Sequence, residues 1–84
     1  MKPTIGRIVH YILTQDDVER SPFHPAYIDG NPGYAGEHFP AIVCVITGER
    51  VNLQVFLDGS HSLWVPSAIE GTENGTWHWP EREE

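Results

Sequence analysis

An 84-residue chain is one domain, and a domain of this size buries only about 60 to 65% of the surface its unfolded chain exposes, too little for both a core and a large enclosed active site. Twelve acidic against five basic residues give a formal charge of −7, which repels a phosphate backbone and argues against polymeric nucleic acid as a partner. A small anion is not excluded, since one or two of Arg7, Arg20, Arg50 and Arg82 suffice to clamp a phosphate.

In chain order, the pattern is that of strands. The segment from Ile5 to Leu13 is rich in β-branched and aromatic residues, and its mixed alternation predicts a first strand buried on both faces at its centre. Thr14-Gln15-Asp16-Asp17 can cap one short helical turn, ended by Pro22, with Asp16, Asp17 and Glu19 on a solvated face. The remainder of 14–36, rich in Pro and Gly, reads as a long loop pinned by Phe23, Tyr27, Ile28 and Tyr34. Loops of this length are either functional or disordered.

Pro40 to Thr47 predicts a buried strand and Gly48-Glu49 a tight turn. Val51 to Leu57 then alternates, with Val51, Leu53, Val55 and Leu57 on one face and Asn52, Gln54 and Phe56 on the other. After the turn at Asp58-Gly59, a strand over 61–67 sets Leu63 and Val65 opposite Trp64. A Gly- and Glu-rich loop over 69–75 leads to a short extended segment over 76–80 and a fraying acidic tail over 81–84. Cys44 is the one cysteine; it sits in an apolar run and reads as a buried thiol. No apolar stretch suits a signal peptide or approaches the ~20 residues that span a bilayer, which points to a soluble cytoplasmic protein.

Five short strands, one long loop after the first and tight turns thereafter predict an all-β domain over 1–84, a small five-stranded SH3-like barrel, because closing the sheet hides edges that so short a chain cannot cover otherwise. Gly6-Arg7-Ile8-Val9, His38-Phe39-Pro40-Ala41-Ile42-Val43 and the run from Val51 to Gly59 resemble a Tudor domain at the level of fold. An open sandwich or an oligonucleotide-binding barrel shares much of this pattern.

Gly75-Thr76-Trp77-His78-Trp79-Pro80-Glu81 concentrates aromatic surface in a short tail. With Gly6 to Tyr11, Pro40 to Val43 and Val51 to Gly59, this segment resembles a family of short proteins of tailed bacteriophages and prophages. The resemblance implies an infected bacterial cytoplasm and carries no catalytic assignment.

Two kinds of function fit that setting. One is a counter-defence sponge that sequesters a nucleotide-derived immune signal as a homo-oligomer. Trp77, Trp79, Trp64, Tyr11 and Tyr34 would stack on bases, at about 1 to 3 kcal/mol each, and His10, His78, Arg7, Arg50 and Asn52 would donate hydrogen bonds. The other is an adaptor that binds a host or phage protein through its Trp-rich patch. Trp77 and Trp79 share a strand face, and such a pair most often simply seals the barrel mouth. Enzymatic chemistry has no support: the five histidines lack metal-ligand spacing, Ser60-His61 lacks the pattern of a nucleophile elbow, and no glycine-rich phosphate loop opens a helix. No cofactor or metal is called for.

Overall fold

The computed structural model describes residues 2–20, 30–31 and 33–80. The anchoring roles expected of Phe23, Tyr27 and Ile28 and the fraying expected of the 81–84 tail fall outside these residues. Five strands form one antiparallel sheet: Ile8–Ile12 (β1), His38–Thr47 (β2), Arg50–Phe56 (β3), Ser62–Ala68 (β4) and Trp77–His78 (β5). One helix, Gln15–Arg20 (α1), follows β1. The domain is therefore mostly β, as its β-branched and aromatic runs predict.

The spatial order is β4-β3-β2-β1-β5, so each sequential hairpin adds a neighbour and only the last strand returns to lie beside the first. The sheet is not closed into the barrel expected from the sequence. Its two edges approach where the chain leaves β4: the Trp77 N–H donates to the Ile69 carbonyl at 3.0 Å, and the Gly71 N–H to the Trp77 carbonyl at 2.9 Å. These two bonds form an isolated Glu70–Trp77 bridge, too short to be a ladder.

The inner face carries the core. Val9, Tyr11, Ala41, Val43, Leu53 and Val55 are among its buried residues, with Trp77 added from β5; Val18 of α1, Phe39 and Trp79 pack against it. Alternation in β3 is as the sequence predicts, with Val51, Leu53 and Val55 buried and the residues between them outward. Two bulges interrupt the registers. Between Val43 and Val45 the pairing with β3 slips by one residue, so Ile46 returns to the inner face opposite Val51. Cys44 sits at this slip, half-buried rather than buried, its Sγ 3.5 Å from the Ile42 carbonyl.

The second bulge lies in β4, between the Leu53–Val65 and Val51–Ala68 pairs, and places Ser67 at φ 56°, a left-handed conformation that costs a non-glycine residue about 1 kcal/mol. Asn52 Oδ1 accepts from the Ser67 N–H at 2.9 Å, and Arg50 Nη1 donates to the Ser67 carbonyl at 3.2 Å. These two side chains hold the bulge. Together with Pro66, which lacks an N–H, the bulge spoils β4 as a template for another strand.

The helix is longer than the single turn expected and buries one of its acids. Thr14 caps it, its Oγ1 accepting from the Asp17 N–H at 2.9 Å while Asp17 Oδ2 accepts from the Thr14 N–H at 3.0 Å. Asp17 is 3% exposed, which corrects the solvated face expected for it.

Candidate functional site

The side chains predicted to form one binding surface divide between the two faces of the sheet. Tyr11 pairs with Trp77 across β1 and β5, and His10 pairs with His78. Alternation then sends Trp77, Trp79, Tyr11 and Arg7 inward and His10 and His78 outward. Ile8 pairs with Ile42, Ile42 with Gln54 and Gln54 with Trp64, so Trp64 lies on the outer face, with a sheet between it and Trp77.

Trp77 is 2% exposed and belongs to the core. Its ring meets that of Trp79 edge-on at 5.5 Å, and the Arg7 guanidinium lies 5.1 Å from the Trp79 ring centroid. This stack anchors β5 to the start of β1, where a two-residue strand has few ladder bonds to hold it. Neither face of Trp77 is free for a base. Asn52 and Arg50 hold the Ser67 bulge, and Tyr34 lies 64% exposed in the turn before β2, its N–H donating to Glu37 Oε1 at 2.7 Å.

Tyr11 is likewise a structural residue. Its hydroxyl donates to Asp17 Oδ2 at 2.5 Å, and Arg20 Nη2 donates to Asp17 Oδ1 at 2.8 Å. Burial pushes the Asp17 carboxyl upward, but hydrogen bonds from Tyr11, Thr14 and Arg20 outweigh it and hold the group below its ordinary value. Burial first, and then the Asp17 carboxylate, push the Tyr11 phenol well above its usual range. The Asp17 partner raises the Arg20 guanidinium. The buried Asp17 carboxylate, held by buried Tyr11 and half-exposed Arg20, is a satisfied anion clasp that fastens α1 to the sheet.

On the outer face three imidazoles converge. The His10 and His78 ring centroids are 5.6 Å apart and those of His38 and His78 are 4.8 Å apart, both edge-to-face. Among the described residues no three His, Cys, Asp or Glu side chains are disposed to hold a metal ion.

A site that the sequence did not indicate lies at the open seam of the sheet. A groove of about 680 Å³ runs between the β2–β3 hairpin, the segment leaving β4, and the N-terminal residues. Ile46, Val51, Ile69 and Pro3 form apolar walls, Trp77 is at its base, and Lys2, Glu49 and Glu70 supply charge. The first strand's extension places Lys2 and Pro3: the Gly6 N–H donates to the Val43 carbonyl at 2.8 Å, and the Arg7 N–H folds back to the Thr4 carbonyl at 3.1 Å. The β2 bulge turns Ile46 toward the groove. Trp77 Nε1 is buried without an acceptor among the described residues, an orphan donor in the side chain that lines the groove.

Comparison with protein-family models, curated proteins and solved structures gave no match. Among the described residues, no helix is long and apolar enough to cross a membrane.

Proposed function

We propose that this chain is a non-enzymatic binding protein of tailed-phage origin, built on an SH3-like or Tudor-like rolled sheet, that sequesters a small nucleoside-type signal in the infected bacterial cytoplasm. The phage setting rests on the resemblance carried by the β1, β2, β3 and Gly75–Glu81 segments. The observation that carries the binding reading is the seam groove. Its 680 Å³ lies within the roughly 300 to 1,000 Å³ of small-molecule sites, and its apolar walls with a few polar groups are the usual composition of such sites. Glu49 and Glu70 suit ribose hydroxyls, which carboxylates accept from readily, and Lys2 suits a phosphate. This reading shifts the binding role from the tryptophan faces to the groove, and Trp77 remains as its floor.

A thermal-shift panel of nucleosides, mononucleotides, cyclic di- and trinucleotides and cyclic ADP-ribose isomers tests it. A ligand at 100 times its dissociation constant adds about 2.7 kcal/mol. At about 4 to 8 °C per kcal/mol for a domain of this size, the shift exceeds 10 °C. Alanine at both Glu49 and Glu70, which are exposed, should remove the shift while leaving the unliganded melting temperature within a few degrees. A flat panel from folded protein refutes the reading, as does a ligand whose shift ignores both substitutions.

A further inference from the structure

The outer face of the sheet differs from a solvated one. A single antiparallel sheet with one face in water alternates apolar inward with polar outward. Here the transverse row Ile8–Ile42–Gln54–Trp64 crosses four strands with three apolar members, and Val45 and Phe56 flank it. Ile8 is 55% exposed and Trp64 54%, and Val45 and Phe56 are also exposed. None of the five strands contains an aspartate or glutamate, in a chain that has twelve. Among the described strand residues the one arginine, Arg50, faces outward and is bonded to the Ser67 carbonyl.

We propose that this face takes a second copy of the chain, two sheets packing face to face in an isologous dimer. The charge pattern selects the occupant. A basic partner would be met by carboxylates, and the described strands that form the face have none. An acidic partner or an anionic lipid surface would be met by several fixed cations, and among the described residues the face has one arginine, already bonded, beside the His10, His38 and His78 imidazoles, which pack edge-on against one another. A self-complementary pairing needs a patch that places no like charges opposite each other, and on a protein of −7 this face is where two copies can meet without acids opposed.

Size allows a small interface. The seven residues of β3 give roughly 23 Å along the strand, and five strands about 19 Å across. The product, about 440 Å², is roughly half of the 800 Å² per partner of a standard interface, which suits a weak dimer of the micromolar range rather than an obligate one. The bulge and Pro66 in β4 disfavour the competing edge-to-edge pairing. The dimer is independent of the groove, which opens at the seam and not on this face. The tail tryptophans, packed on each other and on the core within one copy, play no part in it.

Analytical ultracentrifugation of the full chain from 1 to 200 µM tests it, alongside Trp64→Glu and Ile8→Glu. Both positions are more than half exposed, so both variants should fold, which their circular dichroism and melting curves would verify. The wild-type chain should sediment as a dimer in this range. Each variant should weaken dimerisation at least about 100-fold, because the two-fold axis buries two unpaired carboxylates per substitution. Raising salt from 0.05 to 0.5 M should tighten the wild-type dimer by screening the repulsion between two −7 copies, whereas a charge-paired interface would loosen. A wild-type monomer at 200 µM overturns the proposal, as does a dimer indifferent to both substitutions.

Discussion

The Tyr11–Asp17–Arg20 clasp makes the sharpest stability prediction, because one carboxylate serves two structural roles. Replacing Asp17 with alanine removes the acceptor of the Thr14 N–H, worth about 1 kcal/mol, while the Thr14 Oγ1 cap on the backbone N–H of residue 17 survives. It also leaves the buried Tyr11 hydroxyl without its acceptor, a further cost of about 1 to 3 kcal/mol. Arg20, half-exposed, returns to water and adds little. The expected loss is about 3 kcal/mol, against a total of about 4 to 13 kcal/mol for a domain of this length. Tyr11→Phe alone should cost about 1.5 kcal/mol, since it removes a hydrogen bond to a charged group while Thr14 and Arg20 still satisfy Asp17. In the double variant no hydroxyl is left orphaned, so its loss should fall short of the sum by about 1.5 kcal/mol. Urea unfolding followed by the fluorescence of buried Trp77 measures all four corners of this cycle. Strict additivity, or a loss below 1 kcal/mol for Asp17→Ala, would refute the account of the clasp.

The same carboxylate sets a pH dependence: its folded-state value is depressed, so its contribution is fully present above the unfolded value of 3.8 and is lost as pH falls through the folded value. The stability gap between wild type and Asp17→Asn should therefore be flat from pH 5 to 8 and shrink below about pH 4, as followed by urea midpoints. Gly75→Ala should cost about 1 to 3 kcal/mol by thermal melting, since Gly75 has φ 87° and an added Cβ would lie 3.0 Å from Thr14 Cγ2. Asn52→Ala, which removes the acceptor at the Ser67 bulge, should cost about 1 kcal/mol by urea unfolding. Trp77→Ala should cost about 3 to 5 kcal/mol in the same assay, the range for a buried aromatic in the core, and no measurable loss would remove Trp77 from it.

What the sequence disclosed and what it withheld follow from the range of the interactions. The β2–β3 hairpin was legible because alternation from Val51 to Leu57 and the Gly48-Glu49 turn are local signals. So was the cap at Thr14, whose partner is three residues away. Asp17 looked like one acid in a solvated run because nothing in 14–20 reveals that Tyr11 reaches it from the inner face of β1. The bulges at Cys44 and Ser67 carry no fixed motif. They move Ile46 to the groove side and occupy Asn52 and Arg50, so side chains that resemble free donors in the sequence prove to be engaged. The groove draws on four separated stretches, and no window of the chain contains it.

The division of the aromatic residues follows from a single parity. Trp77 and Trp64 are separated by thirteen positions and one loop, and only the register decides whether they share a face. The pairs Tyr11–Trp77 and Gln54–Trp64 put them on opposite sides. A one-layer sheet of this length can bury one side by rolling, with α1 and the Trp77–Trp79 pair filling the end, but among the described residues no second layer of strands covers the other. An outer face of hydroxyls and acids would have answered that exposure with solubility. Ile8, Val45, Phe56 and Trp64 do not, and the acids they displace lie in the helix, the turns and the tail. The small size of the domain thus bears on both proposals: incomplete closure leaves the groove at the seam, and the single layer leaves a face for a second copy to cover.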